Sequence, residues 1–231
     1  MGSVLIVAAA GMGVRLGRPE PKALVPLNGR PMICWGLDTL GGLPFDAVVV
    51  AVPADRITDF EALVRGRGKV VAGGPTRAES VRRAVERAGA LPRDIVCIHD
   101  AARPLVSANE VASVIAAAER SGAAIAATPV VDTVKRVEAD RIVATVDRVG
   151  LWFAGTPQAF RADLLRQALS TGREATDEAS LCEALGIPVG VVPVSRLGFK
   201  ITAPEDLEMA EAILARRLGQ APGRHADGRG K

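Results

Sequence analysis

The stretch Val4–Gly17, VLIVAAAGMGVRLG, followed by Pro21 and Lys22, decides the fold of this chain. Its apolar beginning, Val4–Ala10, has the composition of a buried β-strand. The glycines after it let backbone N–H groups approach an anion without obstruction by a Cβ atom. Arg15 and Lys22 add positive charge that amides alone do not supply. The stretch therefore predicts a strand that ends in a phosphate-binding loop.

Two common phosphate-loop motifs do not fit this spacing. A dinucleotide fingerprint requires G-x-G-x-x-G, but Leu16 occupies the third glycine position and Gly17 comes one residue late. A Walker loop requires Gly-Lys-Ser/Thr, and no such triplet follows. The remaining pattern, Ala9-Ala10-Gly11-x-Gly13-x-Arg15 with Lys22, is similar to the signature of nucleotidyltransferases. Glycines also occur at strand-to-helix turns for steric reasons alone.

The composition predicts one domain and a separate tail. The chain has 231 residues, of which 48% are hydrophobic, enough for one sizeable core. The net charge is +3, but the last sixteen residues carry +4 and residues 1–215 carry −1. We expect a single domain over 1–218 and a disordered basic tail over 219–231. Because the chain has no Tyr and only 3% aromatic residues, stacking platforms are scarce and no nucleic-acid partner is expected.

The cysteines and the hydropathy pattern predict a cytoplasmic protein. Cys34, Cys97 and Cys182 are odd in number and widely separated, which argues against a disulfide framework and against a Cys-x-x-Cys zinc site. The apolar beginning lacks a basic region before it, and no apolar run has the length of a membrane span. We therefore expect neither a targeting segment nor a membrane partner.

Short β-branched runs alternate with helical patterns along the first half of the chain. This order is typical of a mostly parallel sheet with helices on both faces, in which ligands bind beyond the carboxyl ends of the strands. Two further alternating runs flank Glu138–Arg141 and predict a β-hairpin arm, about residues 131–149, that stands away from the sheet. The predicted strands and helices are, in order, Val4–Val7, Pro31–Leu40, Ala47–Val52, Ile57–Val64, Lys69–Ala72, Ala78–Ala88, Ile95–Ile98 and Ala108–Glu119.

Asp100 is the candidate magnesium ligand. It follows the buried run Ile95–Ile98, so it lies at the end of a predicted strand. Mg²⁺ binds one or two carboxylates together with substrate phosphates. The alternative is an Asp that caps the next turn and pairs with Arg103. Neighbouring His99 is interpreted as a packed histidine rather than a catalytic base.

Lys200 lies in an apolar segment, Gly198–Thr202, that resembles a short strand. A buried ammonium is costly, so the side chain either extends to water from an edge strand or binds a phosphate. Thr202 is the predicted N-cap of a helix that begins at Pro204. On the arm, Lys135, Arg136 and Arg148 are open to the simpler interpretation of solvated charges that protect an exposed edge.

Several motifs, in order from Val4 to Leu214, resemble the 2-C-methyl-D-erythritol 4-phosphate cytidylyltransferase family of the non-mevalonate isoprenoid pathway. Pro75 and Gly198 depart from the usual pattern of that family, and Pro75 leaves only a carbonyl for a cytosine contact. Besides the loop with Lys22, the motifs are Gly73-Gly74-x-x-Arg77-x-x-Ser80, His99-Asp100-Ala101-Ala102-Arg103-Pro104, Asp132-Thr133-Val134-Lys135-Arg136, Thr145-Val146-Asp147-Arg148, Thr156-Pro157-Gln158, Thr176-Asp177-Glu178-Ala179-Ser180 and Lys200-Ile201-Thr202.

The resemblance implies a Rossmann-like three-layer nucleotidyltransferase fold, Mg²⁺ as cofactor and a homodimer formed through the arm. It also implies transfer of CMP from CTP to 2-C-methyl-D-erythritol 4-phosphate, with release of pyrophosphate. The implied catalytic residues are Arg15, Lys22 and Lys200, of which Lys22 and Lys200 lie near the α-phosphate. The implied CTP-binding residues are Ala9, Ala10, Gly11, Gly13, Gly74, Ser80 and Ala101. The implied residues for the second substrate are Asp100, which also binds the metal, Arg103, Thr133, Arg148, Thr156 and Thr176; Thr133 and Arg148 would reach the neighbouring subunit's site.

Three other functions are weighed against this one. A ribitol-5-phosphate cytidylyltransferase would share most of the motifs. A nucleotide-binding regulator without turnover is disfavoured because Lys22, Asp100 and Lys200 form a complete reactive set. An NAD-dependent oxidoreductase is disfavoured by the shifted third glycine and by the lack of an acidic residue about twenty positions beyond it.

Overall fold

Eleven β-strands and seven α-helices alternate along residues 1–173 and 175–219, the part of the chain that this computed structural model describes. Apart from Gly219, the predicted tail 219–231 lies outside that part. None of the helices described is long and apolar enough to cross a membrane. The strands are β1 (Ser3–Ala8), β2 (Pro26–Leu27), β3 (Arg30–Pro31), β4 (Ala47–Val52), β5 (Lys69–Ala72), β6 (Ile95–Asp100), β7 (Ala123–Pro129), β8 (Val134–Glu138), β9 (Arg141–Val146), β10 (Trp152–Arg161) and β11 (Gly190–Pro193). The helices are α1 (Met32–Leu40), α2 (Ile57–Val64), α3 (Arg77–Ala88), α4 (Ala108–Ser121), α5 (Ala162–Leu169), α6 (Glu178–Glu183) and α7 (Pro204–Arg217).

Seven of these strands form one sheet in the spatial order β11-β7-β10-β6-β1-β4-β5. Neighbouring strands pair in parallel except at β10, which is antiparallel to both β6 and β7. The four strands and four helices predicted for the first half of the chain all form, with bounds within two residues of those predicted. The prediction of a mostly parallel α/β sheet is confirmed.

Both faces of the central strands are buried, which is why their sequences are apolar at almost every position. On β1, Val4 and Ile6 point to the face covered by α3, α5 and α6, where they join one apolar cluster. Leu5 and Val7 point to the opposite face and pack in a second cluster with residues of α1, α2 and α4. This alternation follows from the two-residue period of a strand and produces the three layers of the fold.

The predicted arm is present as the two-stranded sheet β8–β9, separate from the central sheet. Its turn residues Ala139 and Asp140 have φ values of 45° and 62°, as a two-residue hairpin turn with the right-handed twist of its strands requires. Most side chains of the arm are exposed. The prediction of a hairpin that protrudes from the main sheet is confirmed.

Two local predictions around Lys200 are wrong. The segment 199–202 is not a strand. Its Ile201 N–H donates a hydrogen bond to Ala102 O, which does not belong to a β-strand. Helix α7 does begin at Pro204, but its N-cap is Ala203 and not Thr202. The reason is Asp206, whose carboxylate accepts hydrogen bonds from the backbone N–H and the hydroxyl of Thr202 and from the N–H of Ala203.

Candidate active site

Two cavities lie side by side beyond the carboxyl ends of β1 and β6. The first cavity, about 440 Å³, is lined by residues 8–12, Gly74–Arg77 and Asp100–Ala102, among others. The second cavity, about 530 Å³, lies between residues 153–157 of β10 and residues 194–200. Lys200 lines both of them. Any ligands that occupy the two cavities together therefore meet at this ammonium group.

The glycine-rich loop folds back on itself and so brings its basic residues to the first cavity. Lys22 N–H donates to Gly11 O at 3.0 Å, and Gly13 N–H donates to Glu20 O at 3.0 Å. A Cβ atom at Gly13 would lie 2.8 Å from Glu20 O, so glycine is required there by steric contact within the loop. Ala9, Ala10 and Gly11 line the cavity, whereas Gly13 does not.

Four cations line the first cavity, and three of them, Lys22, Arg15 and Lys200, act on one another. Lys22 is only 8% exposed, and its Nζ donates to Ile201 O at 2.9 Å. Burial lowers the pKa of Lys22, and the charges of Lys200 and Arg15 lower it further. Arg15 and Lys200 line the same cavity. Because like charges are held together at partial burial here, an anion in the cavity would relieve their repulsion.

The turn into α3 forms the opposite wall of the first cavity. The Ser80 hydroxyl donates to Thr76 O at 2.9 Å and accepts from Gly74 N–H at 3.0 Å, which closes the turn. A Cβ atom at Gly73 would lie 2.8 Å from both Ala10 Cβ and Ser80 Oγ. The two walls therefore approach so closely that only glycine fits. Gly74, Pro75 and Ser80 line the slot that results.

Asp100 lies at the end of β6 and is buried between two cations. Its Oδ2 accepts from Lys200 Nζ at 2.6 Å, and its Oδ1 accepts from Arg77 Nε at 3.2 Å. Burial alone would raise the pKa of Asp100, but the charges of Arg77 and Lys200 outweigh burial and hold this pKa at about 2. The alternative ion pair with Arg103 is not formed among the described residues, where Arg103 contacts Asp100 through its backbone N–H.

Arg77 is the member of this cluster to which sequence reasoning assigned no role. Its Nη1 donates to both carboxylate oxygens of Glu178, at 2.7 and 2.8 Å. Glu178 is 1% exposed. Burial raises its pKa, although the positive charge of Arg77 acts to lower it. Both residues belong to motifs shared with the family, but they are 101 positions apart, so the spacing does not indicate the contact.

Arg103 and Thr156 line the second cavity. Arg103 Nη1 donates to Gly198 O at 3.0 Å, while its Nε is buried and has no hydrogen-bond partner in the described part of the chain. A buried guanidinium N–H without a partner is costly, so an anion or another acceptor in this cavity would be bound favourably. Lys200 supplies a second positive charge to the same space.

A hydrogen-bond chain fixes the Thr156 hydroxyl. His99 Nε2 lies 3.1 Å from Arg103 O, which can only accept, so the ring hydrogen is on Nε2 and Nδ1 accepts from Thr156 at 3.3 Å. The hydroxyl oxygen accepts from Asp100 N–H at 3.0 Å. Burial lowers the pKa of His99 to about 4, so the ring is neutral at pH 7. The interpretation of His99 as a packed histidine agrees with these contacts.

Three implied substrate residues are outside both cavities. Thr133 and Arg148 are exposed on the arm, and Arg148 hydrogen-bonds Val131 O there. Thr176 is exposed before α6. The arm cation Lys135 donates to the Thr145 hydroxyl at 2.7 Å on the exposed surface. A single chain therefore brings together the implied residues from the loop, β6 and segment 198–202, but not those from the arm.

Asp100 is the residue of the first cavity whose carboxylate could contribute to a metal site. No group of three or more His, Cys, Asp or Glu side chains able to hold a metal ion occurs in residues 1–173 and 175–219. Asp100 faces the first cavity with its carboxylate ionised. Mg²⁺ ordinarily retains waters and binds through one or two carboxylates plus substrate phosphates. One carboxylate fits an ion that arrives with a triphosphate.

A nucleotidyltransferase is the class of protein that this fold and these converging cations define. Residues 3–216 match the family model described as IspD, 2-C-methyl-D-erythritol 4-phosphate cytidylyltransferase. The chain belongs to that family.

Relatives that bear the family name match nearly the full chain. The one from Frankia casuarinae is 45% identical over 216 residues, which covers 91% of this chain and 80% of that protein. The one from Syntrophus aciditrophicus is 42% identical over 230 residues, with coverages of 94% and 97%. The crystal structure of the protein from Thermus thermophilus has a TM-score of 0.79 and 39% identity, and the match covers 94% of this chain and 100% of that one.

Proposed function

We propose that this chain transfers CMP from CTP to 2-C-methyl-D-erythritol 4-phosphate, which gives 4-diphosphocytidyl-2-C-methyl-D-erythritol and pyrophosphate in isoprenoid precursor biosynthesis. The observation that carries the proposal is the position of Lys200 in the wall that separates two adjoining cavities. The first cavity has the glycine loop and the cations suited to a triphosphate. The second has the unpartnered Arg103 Nε suited to the phosphate of an acceptor. Family membership supplies the identity of the two substrates.

The proposed reaction needs little proton transfer. A phosphate oxygen of the acceptor attacks the α-phosphorus of CTP, the new O–P bond forms, and the bond to the β-phosphate oxygen breaks in line with it. The nucleophile is already an anion, so no strong base is required. The difficulty is to bring two anions together, and catalysis consists of positioning and charge neutralisation.

Lys200 and Lys22 would supply the neutralising charge at the reacting phosphate. Lys200 is held by Asp100 at 2.6 Å and would exchange that carboxylate for a phosphate oxygen when the substrates bind. Asp100 would then hold Mg²⁺ jointly with the CTP phosphates; the ion, when bound, neutralises phosphate charge. Arg15, on the loop, would contact the triphosphate from the solvent side.

We further propose that the arm joins two copies of this chain. Its side chains Val137, Ile142 and Val143 are half or more exposed, and Trp152 and Phe153 are exposed beside its base. Val137 and Ile142 oppose each other across the hairpin, and exposed apolar surface on a protruding element is suited to an interaction site. A second copy would bury it and would place Thr133 and Arg148 at the neighbouring second cavity.

The three buried, unpaired cysteines are consistent with a cytoplasmic location.

A panel of nucleotides and acceptors, read by pyrophosphate release, tests the function. With Mg²⁺ we expect release with CTP and 2-C-methyl-D-erythritol 4-phosphate and much less with ATP, GTP or UTP. Higher kcat/KM with ribitol 5-phosphate would establish the alternative acceptor, and CTP binding without release would indicate a regulator. Removal of divalent ions with EDTA should abolish release, and added Mg²⁺ should restore it.

A further inference from the structure

Four side chains of alternating charge form a continuous chain, and three of them, Arg77, Asp100 and Lys200, line the first cavity. Glu178 contacts Arg77 at 2.7 and 2.8 Å, Arg77 contacts Asp100 at 3.2 Å, and Asp100 contacts Lys200 at 2.6 Å. Arg77 and Glu178 are each the first residue of a helix, α3 and α6. The mechanism above uses Asp100 and Lys200 and leaves the other two without a role.

Glu178 is held firmly in place. The Asp177 side chain caps α6 through Ser180 N–H at 3.1 Å and also accepts from Gln158 Nε2 at 2.8 Å. Gln158, on β10, in turn accepts from Ala179 N–H at 3.3 Å. The start of α6 is therefore tied to the central sheet. Arg77 Nη1 bonds both oxygens of this fixed carboxylate and Arg77 Nε bonds Asp100, so the guanidinium is held between the two acidic side chains.

We propose that Arg77 is a positioning residue that acts through Asp100, and that Glu178 holds Arg77 in the orientation that this requires. When Lys200 moves to a phosphate, Asp100 loses its shortest ionic contact while remaining buried. Arg77 stays behind as its counter-ion, so the carboxylate keeps its position and Lys200 is free to leave. Without Arg77, Asp100 would retain Lys200. The inference rests on the proposed cytidylyl transfer and adds two residues to it.

The competing role for Arg77 is that of a direct CTP ligand, because it also lines the first cavity. Glu178 argues against this role. A guanidinium already neutralised by one buried carboxylate and shared with another has little charge left for a triphosphate. The two roles give different kinetics: loss of a ligand weakens CTP binding, whereas loss of a positioning residue lowers kcat.

The experiment is a double-mutant cycle on kcat with Arg77→Met and Asp100→Asn. Loss of a residue that orients a ligating side chain ordinarily costs about 10- to 100-fold in activity. We expect Arg77→Met to lower kcat by that factor. The Kd for CTP, measured by calorimetry, should change less than about threefold. In the Asp100→Asn background, Arg77→Met should reduce kcat by less than about twofold, because its target is already gone. Arg82→Met, on the exposed face of the same helix, is the matched control.

Two further variants separate positioning from a structural role. Arg77→Lys keeps the positive charge, so it should recover part of the kcat that Arg77→Met loses. The recovery should be incomplete because lysine cannot bridge both carboxylates. Glu178→Gln should lower kcat without weakening CTP binding. Thermal unfolding of each variant, followed by circular dichroism, checks that the protein assayed is folded.

The inference would be overturned if the kcat losses of Arg77→Met and Asp100→Asn multiplied in the double variant. A tenfold rise in the Kd of Arg77→Met for CTP, or full kcat in a folded Arg77→Met variant, would also overturn it. Pyrophosphate release by the parent chain reports on the proposed function separately. A parent without release would refute that function, whereas an active parent with multiplicative losses would refute only the role given to Arg77.

Discussion

Lys200 and Lys22 approach the first cavity from opposite ends of the sequence, and each donates a hydrogen bond to a carboxylate or backbone oxygen. Lys22 Nζ is held by Ile201 O, one residue beyond Lys200. The two ammonium groups therefore belong to one structural unit. Their placement at the same cavity could not be predicted from the sequence, because it depends on how segment 198–202 packs against the loop.

We expect Lys22→Ala and Lys200→Ala each to lower kcat by about a hundredfold or more, the scale associated with the loss of one electrostatic stabiliser of a transition state. Lys69→Ala, at the exposed start of β5, removes the same charge far from the cavities and should retain full activity. The measurement is steady-state pyrophosphate release. Near-normal turnover of either site variant would refute the role assigned to that lysine.

Other residues of the candidate site could be predicted because their positions follow from local rules. Asp100 lies two residues beyond an apolar run, and ligands in parallel sheets bind where such runs end. The loop glycines were indicated by their spacing. Arg77 and Glu178 could not be predicted in this way, since their contact joins helices α3 and α6 and depends on the tertiary packing of both against the sheet.

At the scale of elements, the arm was predictable and β10 was not. The arm alternates polar and apolar residues around a turn, which identifies a hairpin. Strand β10 contains Gly155 and Pro157, two residues that ordinarily interrupt strands. The structure accommodates them at an irregularity between Ala154 and Gln158, and that irregularity brings Thr156 to the second cavity.

The arm also carries a prediction about assembly. Ile142 is 65% exposed, and Ile142→Lys should place a charge in the proposed interface. We expect sedimentation velocity to show a dimer for the parent and a monomer for this variant, with a loss of activity if Arg148 serves the neighbouring site. Leu91→Lys, at a residue 68% exposed away from the arm, is the control and should remain dimeric. A monomeric parent would contradict the proposed dimer.

At the scale of the whole molecule, His99 links folding to pH. Burial lowers its pKa to about 4, despite the neighbouring carboxylate of Asp100. The unfolded chain, with a histidine pKa near 6.5, therefore binds more protons between pH 6.5 and pH 4. The stability that the neutral ring contributes is present above pH 6.5 and is lost as the pH falls through this range.

We expect the free energy of unfolding to fall by about 2 kcal/mol between pH 7 and pH 5. Asp100, with a pKa of about 2, stays ionised at pH 5 and does not share in the loss. Urea unfolding at both values measures the change. His99→Gln should flatten the dependence. An equal slope in His99→Gln and the parent would disprove the assignment.

The adjoining cavities also govern what leaves the enzyme. Pyrophosphate would be held by the first cavity alone, whereas the joined nucleotide–polyol molecule would occupy both sides of the Lys200 wall. A molecule anchored at two points rebinds at one end before the other end escapes, because the tether keeps the local concentration high. Product inhibition is the expected result. An uncleavable compound that copies this span would exploit the same retention as an inhibitor.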